Sequence, residues 1–364
     1  MSLFISRIFR KAPRFWERRG PTSFLLWPLS YVYSCVLRLR KLIVDLDLSN
    51  LKPAPVPIII VGNIRVGGTG KTPIVIALAQ RLGQLGWKPA IISRGYGAST
   101  QHRPLPVRSD SDPSIAGDEP VLIAKRTHDQ FPIWVFPKRK DSIDALLNQS
   151  PDVNVIISDD GLQHRGLVRW PAREGGRDIE FVVRDSRGEG NRFLLPAGPL
   201  REPASRGRDA TLQTRHGKQS KNSIEHEYFQ GRRTFTLSSQ LGAPYQLNNT
   251  TNTQAMEYIA QHFLPKDIAL VAGLGNPQGF FDDLAKLGIV GKHIPLPDHA
   301  NYTPEFFKGI KAECILITEK DAVKCTHIKD DRIWVVPLSL QLPDSLVDWM
   351  HSILQRPDPR RYTL

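Results

Sequence analysis

From Pro57 onward the chain alternates short, continuously apolar runs with longer segments of mixed polarity. PIIIVGN (57–63) reads as a buried strand, and Thr72 to Leu85 as the amphipathic helix that follows it. PAIISRGYG (89–97), FPIWVF (131–136), VNVIISDDG (153–161) and DIEFVVRDS (178–186) repeat the strand pattern. Helices are expected between them at Asp118 to Arg126 and Asp141 to Leu147. Runs apolar on both faces, alternating with helices, predict an α/β fold with a parallel sheet covered by helices on both sides. Between Arg201 and Gly231 the pattern becomes polar and charged, with RHGKQSKNSIEHE at 215–227. This stretch is expected to be a mobile loop near a domain boundary. A second, smaller α/β unit is expected from about Ile268. IALVAGLGNP (268–277) would be a strand entering a Gly-rich turn, PQGFFDDLAKLG its helix, and ILITEKDAVK (315–324) and RIWVVPL (332–338) further strands. The expected division is 1–45, 46–230 and 231–364.

The first of these parts has a different pattern. Arg7, Arg10, Lys11, Arg14, Arg18 and Arg19 interleave with Phe4, Ile8, Phe9, Phe15 and Trp16. An apolar run, FLLWPLSYVYSCVL (24–37), follows, and Arg38, Arg40 and Lys41 close it. A bilayer-spanning helix needs ~20 apolar residues. The run is shorter, contains Pro28, Ser30 and Ser34, and lacks a small-residue cleavage site for a signal peptide. It suits a helix lying in a membrane interface. The alternative is a core-packing helix with a solvated basic face.

Composition changes this picture in one respect. The 364 residues suffice for two domains at roughly 150 residues each, and 40% hydrophobic with 23% charged residues suits a globular chain. Lys and Arg, however, number 49 against 36 Asp and Glu, a formal charge of +13. Such an excess favours anionic partners: nucleic acid, anionic lipid or phosphorylated substrates. Cys35, Cys314 and Cys325 have neither disulfide-framework nor zinc-site spacing, which fits a reducing compartment.

VGNIRVGGTGKT (61–72) falls directly after a strand and directly before a helix, the setting of a phosphate-binding loop. Backbone N–H groups of such a turn cradle phosphates, and the helix N-terminus adds its dipole. Lys71 would reach the phosphates, the Thr72 hydroxyl would ligate Mg²⁺, and Gly67, Gly68 and Gly70 would allow the close approach. The remaining candidate nucleotide contacts are Asn63, Arg65, Val66 and Thr69. Arg65 stands where the strict motif has Gly, and Gly62 lies three residues earlier, so the match is a variant. GLGNP (273–277) is a weaker signal for a second ligand-contacting turn.

A phosphate loop needs an acidic residue at the end of a neighbouring strand to position Mg²⁺. IISDDG supplies Asp159 and Asp160, whose adjacent side chains cannot both point the same way. GDEP (117–120) puts Asp118 at a helix start, either as an N-cap or as a base for an acceptor hydroxyl. SRGYG (93–97) puts Arg94 at a strand's C-terminal end, where ligands of α/β sheets bind. PDHANYTPEFF (297–307) sets Asp298 and His299 before a helix capped by Thr303 with Pro304 in its first turn.

Taken together, VGNIRVGGTGKTP, SRGYG, AGDEP, SDDGLQH, GEGN with LLPAGPLREP, AGLGNPQGFF, PDHANYT and TEKDAVKC stand in the order seen in the tetraacyldisaccharide 4′-kinases. The chain resembles that family from about residue 20 to 340. The resemblance implies a P-loop NTPase-like kinase domain joined to a smaller α/β/α domain, with the site between them. It also implies transfer of the ATP γ-phosphoryl group to the 4′-hydroxyl of a tetraacyldisaccharide 1-phosphate, giving lipid IVA in lipid A biosynthesis. By motif, Lys71 and Thr72 would handle phosphate and Mg²⁺, Asp118 would act as base aided by His299, and Asp159 and Asp160 would belong to the metal site. A peripheral enzyme on the cytoplasmic face of the bacterial inner membrane is implied, with an anionic membrane surface as partner, no nucleic acid and no obligate protein partner. PAREGGR (171–177), the polar 212–226 stretch and Glu189 of GEGN depart from the family pattern. The rival readings are a P-loop GTPase or ATPase, for which no NKxD motif is found beyond the distant echo TEKD (318–321), and a non-catalytic membrane adaptor that binds nucleotide.

Overall fold

The computed structural model describes residues 13–47, 53–95, 102–164, 166–216, 226–229 and 232–357. The basic and aromatic residues expected to matter before Pro13, together with Tyr96 and Gly97 of SRGYG, lie outside them. After a 3-10 turn at Arg14–Trp16 comes α1 (Pro21–Asp47). The larger layer then follows as β1 (Ile58–Gly62), α2 (Lys71–Gln84), β2 (Pro89–Ser93), β3 (Leu105–Val107), α3 (Pro113–Ala116), α4 (Asp118–Arg126), β4 (Ile133–Val135), α5 (Arg139–Gln149), β5 (Val155–Asp159), β6 (Ile179–Arg184), β7 (Ala210–His216), β8 (His226–Phe229) and β9 (Arg232–Leu241). The smaller layer holds β10 (Tyr245–Gln246), β11 (Asn249–Thr253), α6 (Met256–His262), β12 (Ile268–Ala272), α7 (Pro277–Lys286), β13 (Lys292–Pro295), α8 (Pro304–Lys308), β14 (Cys314–Thr318), α9 (Glu319–Ala322) and β15 (Ile333–Val336). The chain ends on β16 (Leu338–Gln341) and α10 (Asp344–Leu354).

The large sheet runs β16-β9-β7-β6-β1-β5-β2-β4-β3, with β8 paired to β9. Its centre is parallel, and β3, β8 and β16 are antiparallel additions. Alternate residues of one strand feed opposite cores. Ile59, Val61, Ile91 and Ile157 pack on the side of α2, whereas Ile58, Ile60, Ile92 and Ile156 pack with Ile143 and Leu146 of α5. This two-sided burial is why the strands read as continuous apolar runs. The smaller sheet, β11-β10-β15-β14-β12-β13, repeats the plan with two cores of its own.

Two expectations change. Part of the 201–231 stretch is strand: β7 lies between β6 and β9, and residues 217–225 fall outside the described set. A boundary at 230/231 therefore cuts between β8 and β9 of one sheet. The C-terminus also returns to the large layer, because β16 pairs with β9 and Leu346, Met350 and Ile353 join the core of α2.

α1 has an inverted face. Its 27 residues, roughly 40 Å long at 1.5 Å per residue, run unbroken through Pro28. Ser23 and Ser30 are the side chains buried against the body, and the Ser30 hydroxyl donates to the Leu194 carbonyl at 2.7 Å. Phe24, Leu25, Trp27, Leu29, Tyr31, Val32, Leu39, Leu42 and Ile43 face outward, each more than half exposed. Among the described residues, no helix is long and apolar enough to cross a membrane.

Candidate active site

Parallel strands deliver their C-terminal ends to one edge of a sheet, and the candidate residues collect there. From β1 the chain enters the loop 63–70 and then α2, whose N-cap Gly70 has φ 72°. Gly67, at φ 104°, also needs a conformation that a side chain would strain. The loop is braced from within. Asn63 is buried, its amide donates to the Arg65 and Gly67 carbonyls at 2.8 and 3.2 Å, and its Oδ1 accepts from Lys71 at 3.4 Å. Arg187, paired with Asp185, donates to the Gly68 carbonyl at 2.8 Å. With these carbonyls bonded to side chains, the N–H groups of residues 67–70 remain as the loop's anion-binding surface.

Asn63 braces the loop from within as a strut. Arg65 differs from the sequence expectation. The Arg65 guanidinium is buried and turned away from the cradle, where it pairs with Glu17 and donates to the Arg187 carbonyl at 3.2 Å. Val66 is tied to the Pro199 carbonyl through its N–H at 2.9 Å. The Thr69 hydroxyl is buried with no hydrogen-bond partner among the described residues, and Thr72 is buried in the first turn of α2. Arg94 is exposed at the end of β2.

At the end of β5 the two carboxylates separate as expected. Asp160 takes φ 49°, which swings its side chain toward Lys71, 3.3 Å from Nζ, and Arg201, 3.5 Å away. Burial works against its charge, but Lys71 and then Arg201 outweigh it and hold its carboxyl well below the usual range. Asp159 turns inward, 1% exposed, with Oδ1 unpartnered among the described residues. Burial, and then the Glu119 charge, push it up to about 7. Behind it Arg139 is buried and donates to the Asp159 carbonyl at 2.7 Å. His164, from the same SDDGLQH segment, is pushed down to about 4 by burial and by Arg139 and Arg94.

The smaller layer closes over this edge. Gly275 of the GLGNP turn sits so near the loop that a Cβ on it would lie 2.4 Å from the Gly68 nitrogen. Asp118, in the first turn of α4, meets His299 across the two layers, Oδ2 to Nδ1 at 3.0 Å. His299 itself has φ 61°, a left-handed conformation that persists only where the surroundings enforce it. Lys324 Nζ lies 3.8 Å from the same Asp118 oxygen and donates to the Ala300 carbonyl at 2.9 Å. Sequence reasoning missed Glu119, Arg201, Asp185, Arg187 and Lys320. Their only local signals were the carboxylate next to Asp118 and the TEKD segment.

Among the described residues no three His, Cys, Asp or Glu groups converge as a metal cage. Mg²⁺ is ordinarily held by one or two carboxylates plus substrate phosphates. The unpartnered oxygen of Asp159 and the buried Thr72 hydroxyl beside the loop fit such an ion.

A Gly-rich loop between β1 and α2, a lysine at the helix start and paired carboxylates on the adjacent parallel strand define a P-loop NTPase-like phosphotransferase. The sequence model of one family, Tetraacyldisaccharide-1-P 4'-kinase (LpxK), matches residues 22–355. The chain is 72% identical over 359 residues to the tetraacyldisaccharide 4'-kinase of Polynucleobacter asymbioticus, covering 98% of this chain and 99% of that protein. It is 42% identical to the enzyme of the same name from Herminiimonas arsenicoxydans, covering 92% of each. In fold it is similar to the crystal structure of LpxK from Aquifex aeolicus in complex with ATP, with a TM-score of 0.67 and 27% identity over 91% of this chain and 99% of that one. The chain belongs to the tetraacyldisaccharide 4'-kinase family, and it is a kinase of lipid A biosynthesis.

Proposed function

We propose that this chain transfers the γ-phosphoryl group of ATP to the 4′-hydroxyl of tetraacyldisaccharide 1-phosphate, with the loop 63–72 holding the phosphates and Asp118 acting as the base. The observation that carries the reading is the Asp118–His299 contact at 3.0 Å beside the phosphate loop. A sugar hydroxyl is a poor nucleophile until a group of suitable basicity takes its proton. Asp118 receives that proton, and His299 Nδ1, hydrogen-bonded to Oδ2, fixes the carboxylate's orientation. Lys71 moves with the γ-phosphate as a point charge, neutralising what develops on the transferred group. In this reading Thr72 and Asp159 or Asp160 would hold Mg²⁺, which would supply positive charge to offset that of the phosphates. Closure of the smaller layer against Gly68 excludes water and so favours transfer over hydrolysis.

The enzyme would work from the cytoplasmic face of the bacterial inner membrane, with the outward apolar face of α1 in the lipid interface. The support is that inversion: serines inward, large apolar side chains outward, and Arg38, Arg40 and Lys41 exposed beside them. Incubation with [γ-³²P]ATP and tetraacyldisaccharide 1-phosphate, followed by thin-layer chromatography, tests the activity. Label must move to the lipid, and the lipid must stimulate ATP consumption. Release of label only as inorganic phosphate, with or without lipid, refutes it.

A further inference from the structure

The dyad joins two residues 181 positions apart in different layers, and His299 itself holds φ 61°, a conformation its side chain disfavours. Something must hold the two sides in register. We propose that Lys320 is the positioning residue that sets the Asp118–His299 geometry, because its ammonium bridges the immediate neighbours of both. Nζ lies 2.9 Å from Glu119 Oε1, the residue after Asp118, and 2.9 Å from Asp298 Oδ1, the residue before His299. Its side chain is 13% exposed, so the contacts are shielded from water and little screened.

Lys320 is itself fixed. It belongs to the single turn α9, whose cap is the Thr318 hydroxyl accepting from the Asp321 N–H at 3.2 Å. Asp321 is fully buried and accepts from the Gly273 N–H at 3.0 Å and the Thr318 hydroxyl at 2.7 Å. The preceding Glu319 pairs with Arg126 at the far end of α4, 2.6 Å away. One turn of the smaller layer therefore grips both ends of the nine-residue helix that carries Asp118: Glu119 through Lys320, and Arg126 through Glu319. The contrast with Lys324 is informative. Lys324 faces Asp118 directly at 3.8 Å and supplies charge there, whereas Lys320 holds the residues on either side and supplies placement.

This inference rests on the dyad reading, so the test separates the two. Lys320→Met, His299→Ala and the double variant are compared for kcat at saturating lipid, for KM of ATP and for Tm. Lys320→Met should lower kcat by ~10- to 100-fold, the scale on which an ångström of misplacement acts. KM for ATP should stay within about 3-fold of the parent, because the phosphate loop is untouched. The double variant should be little worse than His299→Ala alone, since groups sharing one job lose activity non-additively. Lys320→Arg, which can still bridge two carboxylates, should recover most of the rate. Losses that multiply cleanly, or a fall in Tm that Lys320→Arg does not reverse, overturn the positioning role while leaving the dyad standing. A silent His299→Ala removes the dyad and Lys320's role with it. If Lys320→Met does not fold, Asp298→Asn cuts one arm of the bridge at a side chain that is 35% exposed. It must lower kcat and be non-additive with His299→Ala, or the inference fails.

Discussion

Asp159 offers a test of the site's electrostatics that needs no lipid. Its carboxyl is pushed from the ordinary 3.8 to about 7, chiefly by burial and then by Glu119, with Lys71 and Arg139 pulling the other way. At ~1.4 kcal/mol per pH unit, the ionised form costs the nucleotide-free fold on the order of 4 kcal/mol. Between about pH 4 and pH 7 the folded chain keeps a proton that the unfolded chain has released. The folded state binds more protons there, so this group's contribution to stability falls as pH rises through the window and stays low above it. Asp159→Asn, nearly isosteric and neutral, should remove the penalty. Thermal melts at pH 5 to 8 without nucleotide should show the variant more stable than the parent at pH 8, by several degrees, with the gap narrowing toward pH 5. Adding Mg²⁺ and ATP should draw the proton off the parent near pH 7, because ligands to a cation must be deprotonated. Calorimetry in two buffers of different ionisation enthalpy reads that release, and Asp159→Asn should show less of it. A gap that does not change with pH, or a parent that gains on the variant as pH rises, refutes the argument.

Three further outcomes are expected. Lys71→Ala should lower transfer by ~10²- to 10³-fold without loss of the folded circular-dichroism signal, the usual scale for removing such an electrostatic group. Gly275→Ala should reduce kcat by about 10-fold or more, because its Cβ would meet the Gly68 nitrogen at 2.4 Å and force the two layers apart, while Tm changes little. In sedimentation with anionic vesicles, high salt should release part of the protein and mild detergent the rest, since each basic residue near the surface contributes about 1 kcal/mol that salt screens. A chain lacking residues 1–41 that still pelleted at low salt would move the membrane contact elsewhere.

The parts legible in the sequence are those whose cause is local. Ile58–Gly62 and Val155–Asp159 are apolar because helices cover both faces, and GGTGKT between a strand and a helix requires its own geometry. β7 was not legible. Ala210, Leu212 and Thr214 are buried but alternate with Gln213 and Arg215, so the segment ATLQTRH blends into the polar residues that follow. The return of β16 and α10 to the large sheet depends on partners a hundred or more residues away, such as Phe181 against Trp349 at 6.0 Å. Arg65 misled for a related reason. Its position in the loop suggests phosphate, but its guanidinium answers to Glu17, a residue 48 positions earlier. Lys320 carried no local signal beyond its place in TEKD, because its meaning lies in Glu119 and Asp298.

The same long-range wiring bears on how a membrane-bound substrate would meet the phosphate loop. Tyr33 of α1 donates to the Arg201 carbonyl at 3.1 Å, and Arg201 in turn contacts Asp160 and Asn63, both of which contact Lys71. Glu17, just ahead of α1, holds Arg65 within the loop itself. On the proposed membrane reading, the bilayer surface and the transferring phosphoryl group therefore lie at a fixed distance, set by packed side chains rather than by a linker. A lipid acceptor confined to that surface would then need only to slide laterally to bring its hydroxyl to Asp118. The smaller layer, which carries His299, Lys320 and Gly275, already meets the loop at Gly68 and places His299 on Asp118, so it completes the site on the face the acceptor must approach.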